Sequence, residues 1–339
     1  MYKNFTGDDV SIDVSLVTSG VWQDGVSNLT TFFSSSTQYT NTGDYNVDVY
    51  RHNPASNASA SVQFGVVYGH KEGSGSLGLK GATGDRTTAA IFGQFNSLIN
   101  PPQTNNFTFQ NNTTAPHMYA LVINRARIRE AIEPGGWELH LSASSGGIVK
   151  LIDDSSTNVG GNTNARNFSP ELNIVSGTLI GGTNINTAAG SEDSTMGSYG
   201  TFYPSLGALI LNPDRLSGAP LGLVTQSGSN ADNRNNRKIF NSIVNGGYFQ
   251  MKRQEEITSR HYFIRATSNN FNSTTNETYY TQSSGVKQII PGMIRDAKTY
   301  ITSVGLYNNA NELIAIAKLS KPILKSKSRE ALIKVKLDF

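Results

Sequence analysis

The stretch "TYITSVGLYNNANELIAIAKLSKP", Thr299–Pro322, is the densest apolar segment of a chain otherwise dominated by Ser, Thr, Asn and Gly. Two runs rich in β-branched and aliphatic residues flank the polar tetrapeptide "NNAN". A four-residue polar loop between two such runs predicts a β-hairpin, with strands over Thr299–Tyr307 and Glu312–Leu319. Neither run has a polar face, since Ile314 and Ile316 oppose Leu313, Ala315 and Leu319, so cover is expected on both sides of the hairpin. The closing "LIKVKLDF" alternates instead, placing Ile333, Val335, Leu337 and Phe339 inward and Lys334, Lys336 and Asp338 outward. Because the last residue belongs to the inward set, the C-terminus is expected to be tied into a sheet.

Outward from this segment the same period of two recurs. "DVSIDVSL" sends Val10, Ile12, Val14 and Leu16 to one side and Ser11, Asp13 and Ser15 to the other, the pattern of a half-buried strand. "DYNVDVY" does the same with Tyr45, Val47 and Val49, and "SVQFGVVYGH" adds another β-branched and aromatic run. The period changes to three and four in "TTAAIFGQFNSLINPP": Ile91, Phe92, Phe95, Leu98 and Ile99 form one helical stripe, Asp85 or Thr87 caps it and Pro101 ends it. "QTNNFTFQNNTTAP" has little to bury and reads as a loop. "MYALVINRARIREAIEPGGWELHL" reads as a strand, a short basic helix over Arg125–Ile132, a turn at Pro134 and its two glycines, and a second strand. "RNNRKIFNSIVNGG" predicts a helix stopped at Gly246 and Gly247, followed by strands in "YFQMKRQ" and "RHYFIRA". The fold class is therefore α+β and β-rich, with antiparallel sheets, a few short helices and long polar loops.

The chain has 339 residues, more than one small core needs. Two domains are expected: a β-rich N-terminal one with one helix over 1–112, and an α+β one over 113–339 that ends in the hairpin and final strand and carries a loop-rich insertion near 153–198. Charged residues make up only 16% and there is no cysteine, which excludes disulfides, thiolate metal sites and thiol nucleophiles. No run approaches the roughly 18 apolar residues of a membrane span, and the start lacks the features of a signal peptide, so a soluble, unsecreted protein without membrane contact is expected. Residues 251–339 hold 14 basic against 7 acidic side chains. Lys318, Lys321, Lys325, Lys327, Lys334 and Lys336 fall between apolar residues, so they read as solvated faces and not as a specific nucleic-acid patch.

Motifs for chemistry are scarce. "GSGSLG", Gly73–Gly78, matches a dinucleotide pattern, but no acid follows between residues 88 and 110 to hold a ribose. His52, His70, His117, His140 and His261 have no metal-type spacing. The pairs Asp8–Asp9, Asp153–Asp154 and Glu192–Asp193 fit no calcium loop. The N-x-S/T triplets at Asn4, Asn28, Asn57, Asn272 and Asn276 reflect the abundance of those residues. No residue is assigned to catalysis, to a cofactor or to a metal, and an enzyme is not expected.

Three segments carry a resemblance: "GSYGTFYPSLGALILNPDRLSG" from Gly197, "FNSIVNGGYFQMKRQEEITSRHYFIRATSNNFNSTTNETYY" from Phe240, and the last 41 residues from Thr299. They resemble the C-terminal half of uncharacterised virion structural proteins of T4-like, contractile-tailed bacteriophages of marine bacteria and cyanobacteria. "ITSVGLYNNANELIAIA" is also similar to a strand pair of baseplate and tail-fibre proteins. The resemblance implies a structural subunit of a virion, assembled in the host cytoplasm: a tail or baseplate component that forms homo-oligomers, contacts other virion structural proteins and joins fibres. It carries over no catalytic residue. A receptor- or glycan-binding attachment protein, with contacts in the loops 153–198 and 221–236, is the alternative, as are neck, collar and capsid-surface positions.

Overall fold

The computed structural model describes residues 4–34, 46–73, 87–101, 104–110, 113–142, 146–156, 162–163, 170–180, 183–185, 197–224 and 234–339. In chain order the elements are β1 (Val10–Gly20), β2 (Asn28–Leu29), β3 (Phe33–Ser34), β4 (Asn46–Tyr50), β5 (Val62–His70), α1 (Thr87–Ile99), β6 (Phe107–Phe109), β7 (Thr113–Ala115), β8 (His117–Ile123), α2 (Arg125–Ile128), β9 (Ala131–Ser142) and β10 (Ile148–Asp153). Then come β11 (Asn162–Thr163), β12 (Pro170–Ser176), β13 (Thr178–Ile180), β14 (Thr183–Ile185), β15 (Gly200–Tyr203), β16 (Ala208–Leu211), α3 (Pro213–Ser217), α4 (Arg234–Gly246) and β17 (Phe249–Ala266). The chain closes with β18 (Tyr280–Ser283), β19 (Val286–Ile289), α5 (Pro291–Arg295), β20 (Lys298–Tyr307), β21 (Leu313–Ser326) and β22 (Ala331–Asp338). The class is α+β, β-rich and antiparallel, as the alternating pattern predicts.

Two compact units are present, Val17–Glu255 and Met1–Leu16 with Glu256–Phe339. No division falls near 112, because β5 pairs with β8 over seven residues, from Phe64 opposite Ile123 to His70 opposite His117, and so joins the segments on either side of that point.

In the larger unit the strands lie in the order β17, β9, β10, β12, β15, β16, β8, β5, β4, β3, every neighbour antiparallel. Alternate residues of these strands, among them Val47, Phe64, Leu121, Trp137, Leu209 and Phe249, enter one buried cluster. β17 and β5 are seven strand steps apart, roughly 34 Å if the sheet were flat. Yet the Phe64 ring stands edge-on to Phe249 at 5.4 Å, and Trp22 touches both, at 5.9 Å and 4.9 Å. The sheet of this unit must therefore roll around its core until strands seven steps apart share a ring cluster. Buried Trp22 donates its indole N–H to the Phe249 carbonyl at 3.0 Å, which satisfies the one polar atom of that ring.

Helix α4 adds Ile239, Phe240 and Ile243 to the same cluster. Gly246 ends it where a Cβ would strike the His140 carbonyl, and Gly247 follows with φ +69°, a region glycine enters freely. Helix α1 packs on a second cluster with Met118, Ala120 and Ile210 through Ile91, Phe92 and Ile99. Leu98, expected in that stripe, is exposed. The cap expected from Asp85 and the motif residues 74–78 lie outside the described residues, as does the side chain of Thr87.

Two local expectations fail. The segment read as a loop with little to bury holds the β6–β7 hairpin, and Phe107 and Phe109 are buried in the second cluster, Phe107 edge-on to Phe92 at 5.2 Å. The turn expected at Pro134 is a bulge inside β9: Trp137 pairs with Met251 and Ile132 with Arg253, so four residues of β9 face one of β17. Helix α2 is correspondingly short, and "YFQMKRQ" and "RHYFIRA" form one 18-residue strand.

In the smaller unit the second half of β17 pairs with β22, from Ser259 opposite Asp338 to Ala266 opposite Ala331. The β20–β21 hairpin packs on this ladder through Val304, Leu306, Ala315, Ala317 and Leu319, against Tyr262, Ile264, Ile333 and Val335. At its base Lys325 is fully buried, and its ammonium donates to the Ser268 carbonyl, the Asn272 side-chain oxygen and the Ser326 carbonyl at 3.1, 2.9 and 2.8 Å. Three donors meet three acceptors, which makes the burial tolerable. The C-terminus is tied in as expected, Phe339 and Thr258 exchanging both backbone hydrogen bonds at 3.1 Å. The Phe339 ring is exposed, with the Arg260 guanidinium 5.3 Å from its centre.

Phe64→Ala should lower the unfolding free energy by about 3 to 5 kcal/mol in urea denaturation, because it empties the ring cluster, whereas Leu98→Ala should change it by about 0.5 kcal/mol or less. Lys325→Met should cost about 1 to 3 kcal/mol by leaving the half-buried Asn272 side-chain oxygen unpaired, the Ser268 and Ser326 carbonyls keeping the Asn272 amide group and the Arg329 N–H as donors; a loss no greater than that of Lys318→Met would refute the role of the buried ammonium.

Candidate interaction surface

Among the described residues twenty large apolar side chains are exposed, and fourteen of them lie in the smaller unit, which holds fewer than a third of the chain's residues. The same unit supplies only seven of the fifty-two buried apolar residues. Its apolar content is turned outward, the reverse of what a self-sufficient domain does.

Two strands carry most of this surface. The hairpin is covered on one face only: Ala315, Ala317 and Leu319 turn to the ladder, while Ile314 and Ile316 are each 65% exposed on the other face. Cover on both sides is thus not found among the described residues, which place two layers in the unit where a hairpin with two apolar faces calls for three. β1 is a strand as expected, but Ile12, Val14 and Leu16 are 60%, 52% and 63% exposed. Its alternation signals a covered face, and nothing in the described chain covers it.

Both strands also end their sheets. β1 pairs with β17 and with no other described strand, and β21 pairs with β20 alone. Each offers a row of unpaired backbone N–H and C=O groups. Asp13 on β1 and Lys318 and Lys321 on β21 hydrogen-bond or ion-pair with no other group of the described chain, so their charges are available.

In the larger unit three groups far apart in sequence meet. The Tyr68 hydroxyl lies 3.0 Å from His117 Nδ1, and His117 Nε2 lies 2.8 Å from a carboxylate oxygen of Asp214. His70, opposite His117 in the β5–β8 pairing, places its ring 5.6 Å away and edge-on. The hydrogen bond from His117 holds the Asp214 carboxyl below the usual carboxylate range, and burial, then the neighbouring His117, hold the His70 imidazole below its usual value. Pairing of β5 with β8 brings Tyr68, His70 and His117 together, and the start of α3 adds Asp214. Nothing in their spacing signals it.

The expected carboxylate pair Asp153–Asp154 serves as a backbone bracket. Asp153 accepts from the Gly135 and Ser155 amides at 2.8 and 3.0 Å, and Asp154 from the Asn173 amide and side chain, both at 2.8 Å. Burial pushes the Asp153 carboxyl up. Among the described residues no group of three or more His, Cys, Asp or Glu side chains could hold a metal ion. The pair Glu192–Asp193 and most of the loops 153–198 and 221–236 lie outside the described residues.

A shallow open cleft of about 530 Å³ is lined by Asn28, Thr30, Phe33, Arg51, Asn53 and Asn57 among others. Arg51 pairs with Asp24 at 2.6 Å, which offsets its charge, and His52 Nε2 lies 3.4 Å from the same carboxylate oxygen. No described helix is long and apolar enough to cross a membrane.

No family model, no curated protein and no solved structure matches the chain.

The folded pKa of Asp214 lies below its unfolded value, so its contribution to stability is complete above the ordinary carboxylate pKa and is lost as pH falls through the depressed value. His70 acts with the same sign higher up: its neutral form is favoured in the fold, so stability falls as pH drops through the ordinary imidazole value, about 6.5. Urea unfolding followed from about pH 3 to pH 8 should show both slopes; Asp214→Asn should flatten the lower one and His70→Gln the upper one.

Proposed function

We propose that this chain is a structural subunit of a bacteriophage virion, a tail or baseplate component that assembles with itself and with other virion proteins in the host cytoplasm and performs no catalysis. The outward-turned apolar side chains of the smaller unit carry this reading. Apolar surface left in water costs roughly 25 cal/mol per Å², and a chain that sets fourteen large apolar side chains in one small unit stabilises that unit by covering them in an assembly. The resemblance of the C-terminal segments to virion structural proteins supplies the kind of assembly. The hairpin segment, similar to baseplate and tail-fibre strand pairs, supports a place where fibres attach. Neck, collar and capsid-surface positions are served by the same surface.

A second reading, a receptor- or glycan-binding attachment protein, is favoured by the cleft of the larger unit. Its Asn and Thr side chains suit a hydroxyl-rich neutral ligand, and Phe33 offers a ring for stacking.

Peptide mass spectrometry of purified phage particles tests the first reading, with the chain expected in stoichiometric amount. The double variant Ile314→Glu/Ile316→Glu should fold with an unfolding free energy within about 0.5 kcal/mol of the wild type and be incorporated at least about tenfold less. Absence of the wild-type chain from particles would end this reading.

A further inference from the structure

We infer that the free edge of β1 in one copy pairs with the free edge of β21 in a second copy, an intermolecular β-augmentation that joins the subunits head to tail. The inference rests on the proposed role in assembly and names the contact through which the chain meets itself.

Three observations meet here. Both strands lie at the end of their sheets with one unpaired edge each: β1 has 11 residues, and β21 has 14, of which Ala315–Lys318 are regularly paired before a bulge over Leu319–Pro322. Natural edge strands of this length are ordinarily blunted, bent or covered, and an exposed apolar one is a template for another strand. β1 carries Ile12, Val14 and Leu16 in the open, and Ala315, Ala317 and Leu319 of β21 line an apolar layer whose edge is open beside them. Their free charges are opposite: Asp13 on β1, Lys318 and Lys321 on β21. A β1–β1 contact would bring acidic strands together and a β21–β21 contact basic ones, so charge selects the mixed pair.

The register follows from the period of two. In an antiparallel pair, residues directly opposite share a face. Placing Asp13 opposite Lys318 puts Ile12 opposite Leu319, Val14 opposite Ala317 and Leu16 opposite Ala315. Those three residues of β21 already face the ladder of β17 and β22, so the incoming β1 would extend that inner apolar layer and lose its own exposure. A slip by one residue would turn Ile12, Val14 and Leu16 to the opposite face and part the two charges. The contact uses different surfaces on the two copies, so it repeats, closing into a ring or running on as a filament.

The test uses the full chain at about 100 µM, with sedimentation velocity and native mass spectrometry as readouts. The wild type is expected to form a series of oligomers. Asp13→Lys and Lys318→Glu should each weaken association at least about tenfold, with unchanged urea midpoints showing that the fold survives. Mixing the two variants should restore assembly in one-to-one proportion, since each supplies the edge the other repels, and the double variant Asp13→Lys/Lys318→Glu should restore self-association. A monomeric wild type, assembly by either single variant at wild-type strength, or failure of the mixture and the double variant to recover would each overturn the inference. The two ideas fail separately: particles that incorporate Asp13→Lys normally leave the virion role intact and remove this contact. Recovery by charge swap in a chain absent from particles does the reverse.

Discussion

The contact among the rings of Trp22, Phe64 and Phe249 constrains the larger unit more than any other. Phe64 and Phe249 belong to strands seven steps apart, and a flat sheet could not bring them within ring contact. Once they meet, the strands between them must curve, and their alternate residues must point to a common centre. That is why residues from nearly every strand of this unit fall into a single buried cluster. Helix α4 enters the same cluster, and Gly246 lets its end approach the His140 carbonyl of β9. The buried indole N–H bonded to the Phe249 carbonyl leaves the centre with no unmet polar demand from Trp22.

The smaller unit obeys the opposite economy. Its core is a thin layer between the β17–β22 ladder and the β20–β21 hairpin, with a buried ammonium, Lys325, fixing the base of the hairpin through three oxygen acceptors. Most of the other large apolar side chains of this unit face water, Tyr279 being a buried exception. A rigid base, exposed strand edges and exposed aliphatic side chains are the features expected of a surface that is completed by other chains. The two units thus differ in where their large apolar side chains lie, inside in the larger and mostly in the open in the smaller.

The titratable groups fit the same division. Tyr68, His117 and Asp214 are linked by hydrogen bonds across three elements, and the buried Asp153 and Asp154 bracket backbone amides. In both places the side chains spend their hydrogen-bonding capacity on holding the larger unit together. Asp13, Lys318 and Lys321 of the smaller unit lie beside exposed apolar residues, where charge would set the choice and orientation of a partner.

By itself the sequence determined the strands and helices wherever one face alternates or recurs at three and four: the hairpin around "NNAN", the final "LIKVKLDF", the helix stopped at Gly246, and the inward side of β4. Those features are local, because hydrophobic period and turn chemistry are written within a dozen residues. Which apolar faces meet a partner inside the chain was decided only by the tertiary structure. Val47 and Ile12 stand in the same alternating pattern, yet Val47 is buried and Ile12 is exposed. Phe107 and Phe109 sit in a segment too polar to signal a strand, and are buried in the cluster on which α1 packs, Phe92 lying edge-on to Phe107. His70 and His117 are 47 positions apart and adjacent in space because two strands pair. Period tells which side of a strand is apolar. Only the packing of distant segments settles what, if anything, covers it.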